Sequence, residues 1–185
     1  MNYPARLKSL GCEPPAEFPA CDIDVIESRV GVRLPESYRE FLRVCGGWWR
    51  DILCPCGEST PFGEEHVVTG FYDAAEVANS LECPFVPRNM VLIGYAHFAK
   101  YTSLSIAGID RGSVYALDGE YRAFWDDEEF HQRFDGMEDS IRQYLKLRRN
   151  DDLPEKPVGY ENAYFLAGSF DEFLELCTPY DPDAE

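Results

Sequence analysis

Residues 24–47, Asp24-Val-Ile-Glu-Ser-Arg-Val-Gly-Val-Arg-Leu-Pro-Glu-Ser-Tyr-Arg-Glu-Phe-Leu-Arg-Val-Cys-Gly-Gly47, read as two capped helices in quick succession. Asp24 can accept from first-turn amides, Glu27 three residues on can return the bond, and Gly31 supplies the left-handed residue that ends the first helix. Pro35 opens the second helix, where a missing N–H costs nothing. Tyr38, Phe41, Leu42 and Cys45 then fall on one face at i, i+3, i+4 and i+7, and Gly46-Gly47 stops the helix.

Outward from this stretch, residues 1–21 carry Pro4, Pro14, Pro15 and Pro19 and read as an irregular N-terminal arm, ahead of a single domain over 22–185. Trp48 to Gly63 is rich in Cys, Pro and Gly and reads as a loop. His66 to Tyr72 reads as a strand, and Asp73 as the N-cap of a short helix through Ser80. Met90 to Tyr95 is a continuous apolar run, as expected for a strand buried on both faces, and Thr102 to Ala107 follows as another. Val114–Leu117 and Tyr121–Trp125 flank Asp118-Gly119, a pair suited to a type I′ hairpin turn. Asp126 with Glu129 has capping-box spacing and opens a helical insertion at about 126–150. After a Pro-containing linker come a strand near Tyr164–Leu166 and a helix capped by Ser169, with Glu172 at the reciprocal position and Phe170, Phe173, Leu174 and Cys177 facing inward. The class is α+β: a mostly antiparallel β-sheet of four to six strands, with helices packed at the N- and C-terminal ends.

The order capped helix, Gly, Leu-Pro, Tyr-x-x-Phe-Leu, Gly-Gly resembles the opening of the SUKH superfamily, which contains the fungal cell-wall-assembly regulator domain and many bacterial proteins encoded beside secreted toxins. Phe71-Tyr72-Asp73 leading into Ala74-Ala75-Glu76-Val77, the strand Pro87–Gly94 ending in Ile93-Gly94, and Leu166–Leu174 are similar to later blocks of the same family. The resemblance implies an antiparallel sheet with helices against it. It also implies a non-enzymatic immunity function, in which the protein binds and neutralises a cognate toxin, commonly a nuclease. The fungal branch implies the alternative, a scaffold or regulatory protein-interaction module.

Composition sets limits of its own. At 185 residues the chain is long enough to bury a sizeable core without disulfides. No apolar run approaches the roughly 18 residues of a membrane span, and Met1–Arg6 lacks a signal-peptide core, so a cytoplasmic protein is expected. The seven cysteines, an odd number, mostly sit in or beside apolar segments and read as reduced small hydrophobic residues. With 17 Lys and Arg against 34 Asp and Glu, the net charge is -17. Such a field repels nucleic acid and anionic membranes and draws in basic proteins.

Candidate chemistry is thin. Cys54-Pro55-Cys56 with Cys83 and His66 is the best case for a metal site, but one intervening residue is too few for two thiolates to converge on zinc, and no second pair follows. His66, His97 and His131 stand in no nucleophile-activating motif, and no glycine-rich phosphate loop is present. No catalytic residue and no cofactor are expected. What remains is binding surface: Trp49, together with Asp118, Glu120, Tyr121, Trp125, Asp126 and Asp127, where aromatic rings can act as anchors and carboxylates can steer a basic partner.

Overall fold

The face read from Tyr38, Phe41, Leu42 and Cys45 is buried, none of the four being more than 3% exposed. The computed structural model describes residues 1–16, 22–60, 63–83, 85–87, 89–120 and 160–181, the side chains of 57–59 excepted. The helices among these are α1 (Tyr3–Ser9), α2 (Ile23–Val30), α3 (Glu36–Cys45), α4 (Ala74–Ser80) and α5 (Phe170–Leu176). The strands are β1 (Trp49–Thr60), β2 (Gly63–Phe71), β3 (Met90–Tyr95), β4 (Lys100–Ser105), β5 (Val114–Asp118), β6 (Ala163–Ala167) and β7 (Thr178–Pro179). They form one antiparallel sheet in the order β6-β5-β4-β3-β2-β1-β7. The class is α+β as expected, with seven strands instead of four to six.

Two of the seven are not read as strands from sequence: β1 lies in a segment that reads as a loop, and β7 in a segment given no reading. Residues 49–60 carry the Cys-Pro-Cys-Gly signal of a loop, yet they form β1, because β2 offers a ladder from Trp49↔Gly70 to Thr60↔Gly63. Register irregularities between Trp49 and Ile52 and between Pro55 and Thr60 accommodate the proline, and among the described residues β7 meets the outer side of β1 only at Ile52 and Leu53. The N-terminal arm likewise contains a helix. Asn2 caps α1 by accepting from Ala5 N at 3.1 Å, Pro4 sits in the first turn, and Tyr3 and Leu7 are buried. Arg6 then donates to the carbonyls of Leu174, Glu175 and Cys177 at 2.9, 3.2 and 2.7 Å, clamping the end of α5.

The opening stretch folds as two helices but is capped differently. Asp22, not Asp24, accepts from Val25 N, and Gly31 ends α2 at φ +72° as expected. Glu27 does not close a capping box. Its Oε1 accepts from Leu34 N at 2.8 Å and pairs with Arg39 Nε at 2.8 Å, joining α2 to the following turn and to α3. The other two N-caps, Asp73 and Ser169, match their reading, but the reciprocal bond read for Glu172 does not form. Asp73 and Glu76 form a reciprocal box on α4, and Ser169 accepts from Glu172 N on α5, although Glu172 Oε2 accepts from Gly168 N, one residue ahead of the cap.

The sheet is covered on both faces. On one, α1, α3 and α5 bring Tyr3, Tyr38, Phe41, Phe71, Phe170 and Phe173 into one ring cluster. On the other, Phe85, Met90, Leu92, Tyr115, Leu117, Tyr160 and Phe165 form a second cluster. The apolar run of β3 serves both: Val91 and Ile93 enter the first cluster, Met90 and Leu92 the second. Between β4, β5 and β6 the second cluster encloses Asp110, which accepts from the Tyr115 and Tyr160 hydroxyls.

The close of β3 gives the Ile93-Gly94 pair its physical reason. A Cβ on Gly94 would lie 2.6 Å from the Gly70 carbonyl oxygen, where β3 crosses closely over β2. Gly94→Ala is therefore expected to cost about 1–3 kcal/mol by forcing two strands apart, read as a lower urea midpoint with an unchanged slope. Gly119 is also a matter of space. It does not adopt positive φ, and a Cβ there would meet the Tyr101 ring at 2.7 Å and the Ala99 carbonyl at 2.9 Å. The expected hairpin about Asp118-Gly119 is therefore corrected: β5 has both edges paired, with β4 and β6, and offers no ladder to a following strand. Residues 121–159, including the helical insertion read at 126–150, lie outside the described residues.

Candidate functional site

β1 begins at a tryptophan that its neighbours hold in place. Trp49 exchanges both backbone hydrogen bonds with Glu13, at 3.1 and 3.2 Å, and faces Gly70 on its inner side. Gly70 in turn faces Tyr95, whose ring lies across the position a Cβ would take. Trp49, Gly70 and Tyr95 thus form one cross-strand row, and the missing side chain at its centre makes room for the Tyr95 ring. Trp48, one residue earlier, points the opposite way and is 2% exposed, while Trp49 is 55% exposed.

The row borders a surface depression of about 450 Å³ lined by Glu13, Trp49, Arg50, Asp51, Thr69, His97 and Tyr180. Tyr180, the residue after β7, lines the depression as well, and its N–H donates to the Asp51 carbonyl at 3.3 Å. His97 Nε2 lies 3.6 Å from Asp51 Oδ1. Beside His97 the β3–β4 connection holds Phe98 87% exposed, and both Phe98 and Ala99 have positive φ, 59° and 54°. A bulky residue in the left-handed region is strained, and here the strain presents a phenyl ring to solvent. The tip also reaches the segment after β5, since Gly119 N donates to the Ala99 carbonyl at 2.9 Å. Exposed aromatic groups consequently run from Tyr180 and Trp49 through Phe98 toward exposed Glu120.

The residues singled out from sequence fall into three groups. Trp49 and Glu120 are exposed, on either side of the Phe98 tip. Asp118 is not: it is 4% exposed, its Oδ2 pairs with Lys100 Nζ at 3.0 Å, and its Oδ1 accepts from Glu120 N at 3.0 Å. Both faces of β5 are buried, so its terminal carboxylate is engaged by the fold. Tyr121, Trp125, Asp126 and Asp127 lie outside the described residues. Phe98 carried no signal, because a turn built on positive φ is ordinarily announced by Gly or Asn, and Ala96-His97-Phe98-Ala99 contains neither.

The Cys/His constellation does not assemble. Cys54 and His66 face one another across β1 and β2, but Cys83 packs in the second cluster, and among the described residues no three His, Cys, Asp or Glu could hold a metal ion. His66 is 1% exposed with Nε2 at 2.9 Å from Thr102 Oγ1. Burial, and then the charge of Lys100, push its pKa down to about 3. Folded His66 therefore stays neutral while the unfolded chain takes up a proton near 6.5, so its contribution is complete above pH 6.5 and is lost as pH falls toward 3. Stability should decline across that window by up to about 1.4 kcal/mol per pH unit from this residue, and a His66→Gln variant should lose that part of the slope in urea titrations.

Among the described residues no helix is long and apolar enough to cross a membrane. A model of the SMI1 / KNR4 family (SUKH-1) matches residues 20–143. The matched part contains the two-helix opening, Phe71–Val77 and Pro87–Gly94, and ends before Leu166–Leu174. No curated protein and no solved structure matches the chain.

Proposed function

The chain belongs to the SMI1 / KNR4 family (SUKH-1), and from that membership and its exposed aromatic row we propose that it is a non-enzymatic inhibitor of a basic, nuclease-like toxin. The observation that carries the reading is the row itself. Trp49 is fixed by backbone bonds on one side and by the sheet on the other, and Phe98 is held outward on strained backbone. Rigid aromatic groups lose little conformational freedom on binding and supply most of the affinity where they are fully covered by a partner. Acidic groups complete the surface. Glu13, Asp51 and Glu120, on a chain of net charge -17, favour a partner rich in Lys and Arg, and a nuclease cleft built to hold phosphate has that character.

The contact face in this reading comprises Trp49, Phe98 and Glu120, extended by the acidic and aromatic residues Tyr121, Trp125, Asp126 and Asp127. Asp118 contributes by holding Lys100 and the backbone of Glu120 in place. The test is an inhibition assay with a purified nuclease toxin domain, taken from a gene beside this one where such a gene is found. Equimolar protein should abolish its activity, and association should slow by about tenfold or more between low and physiological salt. Joint reversal of Glu120, Asp126 and Asp127 to Lys should remove most of that salt dependence. Inhibition and salt dependence that survive the triple reversal would move the contact face elsewhere. Binding to a host protein, with no effect on the toxin, would favour a regulatory scaffold.

A further inference from the structure

The register of β1 and β7 brings two cysteines together behind the wall of the depression. Ile52 faces Pro179 and Leu53 faces Thr178; carried one step past the last recorded pair, the same register would set Cys54 opposite Cys177. Pro179 has no N–H and Tyr180 N donates to the Asp51 carbonyl, so 52/179 is a non-hydrogen-bonded pair, and 54/177, two residues along, is another. The Cys177 N–H is accordingly free to cap α5 through the Phe173 carbonyl. At such positions opposed Cα atoms stand about 4.5 Å apart, inside the range of about 4.4–6.8 Å that a disulfide spans. Cys54 is 0% and Cys177 2% exposed, in the same cluster, and the two thiols lie close enough to influence one another electrostatically.

We propose that Cys54 and Cys177 form a reversible thiol-oxidation site whose disulfide braces β7, and with it Tyr180, against β1. The device has an evident purpose. β7 is two residues long, and Thr178, Pro179 and Tyr180 are exposed, so this wall of the depression rests on a short ladder and on the Arg6 clamp. The oxidant is a small-molecule disulfide such as oxidised glutathione. One cysteine thiolate attacks it, releasing one thiol and leaving a mixed disulfide. The second thiolate then attacks the protein sulfur and releases the other thiol. Two S–H bonds are lost, one S–S bond forms, and the oxidant is reduced to two thiols by the same two electrons. The neighbouring Cys54 thiol, and then burial, hold the Cys177 thiol well above the usual thiol range, so attack waits for a brief opening of β7 and is slow in the closed state.

The proposal is independent of the partner's identity and is tested on the full chain alone. The protein is incubated with oxidised glutathione, quenched by alkylation under denaturing conditions and mapped by mass spectrometry, with melting followed in parallel. A Cys54–Cys177 linked peptide should dominate, and the oxidised protein should melt about 5–10 °C higher, a rise reversed by dithiothreitol and absent from Cys177→Ser. Recovery of Cys54 and Cys177 as alkylated thiols, or linked to other cysteines, would overturn the assignment. A 54–177 link without a rise in Tm would overturn the bracing role. The peptide map of the unaltered chain decides the first question even if Cys177→Ser folds poorly.

Discussion

Replacing Phe41 with Ala is expected to destabilise the protein by about 3–5 kcal/mol, the range for truncating a fully buried ring where neighbours cannot collapse into the space. Phe41 is 0% exposed and touches four other rings, with centroids 5.7 Å away at Tyr3, 6.0 Å at Tyr38, 5.2 Å at Phe71 and 4.7 Å at Phe170. These come from α1, α3, β2 and α5, so one ring joins the N-terminal helix, the sheet and the C-terminal helix. A loss of this size is a large share of the stability of an ordinary domain, about 5–15 kcal/mol. Urea denaturation followed by tryptophan fluorescence measures it. Phe98→Ala is the contrast: its ring is 87% exposed, and the change should stay within about 0.5 kcal/mol.

Asp110→Ala is expected to cost as much by a different route. Asp110 is 3% exposed; its Oδ2 accepts from Tyr115 at 2.9 Å and Tyr160 at 2.8 Å, and its Oδ1 from Ser105 Oγ at 3.0 Å and Asn89 Nδ2 at 3.4 Å. Burial, and then the charge of Asp110, hold the Tyr160 hydroxyl above the usual phenol range, so it remains a donor at any working pH. Truncating the carboxylate deprives several buried donors of one acceptor at once, at about 1–3 kcal/mol for each one left unsatisfied, or roughly 3–5 kcal/mol together. Asp110→Asn keeps an acceptor oxygen and nearly the same volume and should lose only about 1–2 kcal/mol. Equal losses in the two variants would show that shape, and not hydrogen bonding, holds this corner of the sheet.

The difference between these residues explains what could be read from sequence. Phe41 announced itself through the i, i+3, i+4, i+7 spacing of its helix, and Met90–Tyr95 through an unbroken apolar run; both patterns are local. Asp110 lies in Gly108-Ile-Asp-Arg-Gly112, between two strands read from sequence, and only the meeting of β4, β5 and the segment before β6 buries it. Glu27 was similarly ambiguous. Its spacing from Asp24 suits a capping box, but Arg39 and Leu34 N compete for the same carboxylate and are the stronger claim. β1 defeated local reading because its proline and cysteines mimic a loop while the ladder that stabilises it is supplied by β2.

The candidate surface was half legible. Trp49 followed a helix stop and was exposed as expected. Asp118 was read as a surface acid because Asp-Gly marks hairpin turns, whereas pairing of β5 on both edges draws it inside. Phe98 offered no pattern at all, since its exposure depends on left-handed backbone at two non-glycine residues.

Under the proposed inhibitor role, affinity for a toxin resides in the aromatic groups presented by β1 and the β3–β4 connection. Calorimetric titration of the toxin domain with wild type, Trp49→Ala, Phe98→Ala and the exposed control Val25→Ala tests it most directly. Each aromatic truncation should weaken binding by about 30-fold or more, as expected for an anchor worth roughly 2 kcal/mol, while the control stays within about twofold and all four proteins melt alike. Binding by Trp49→Ala and Phe98→Ala within about twofold of wild type would contradict the claim.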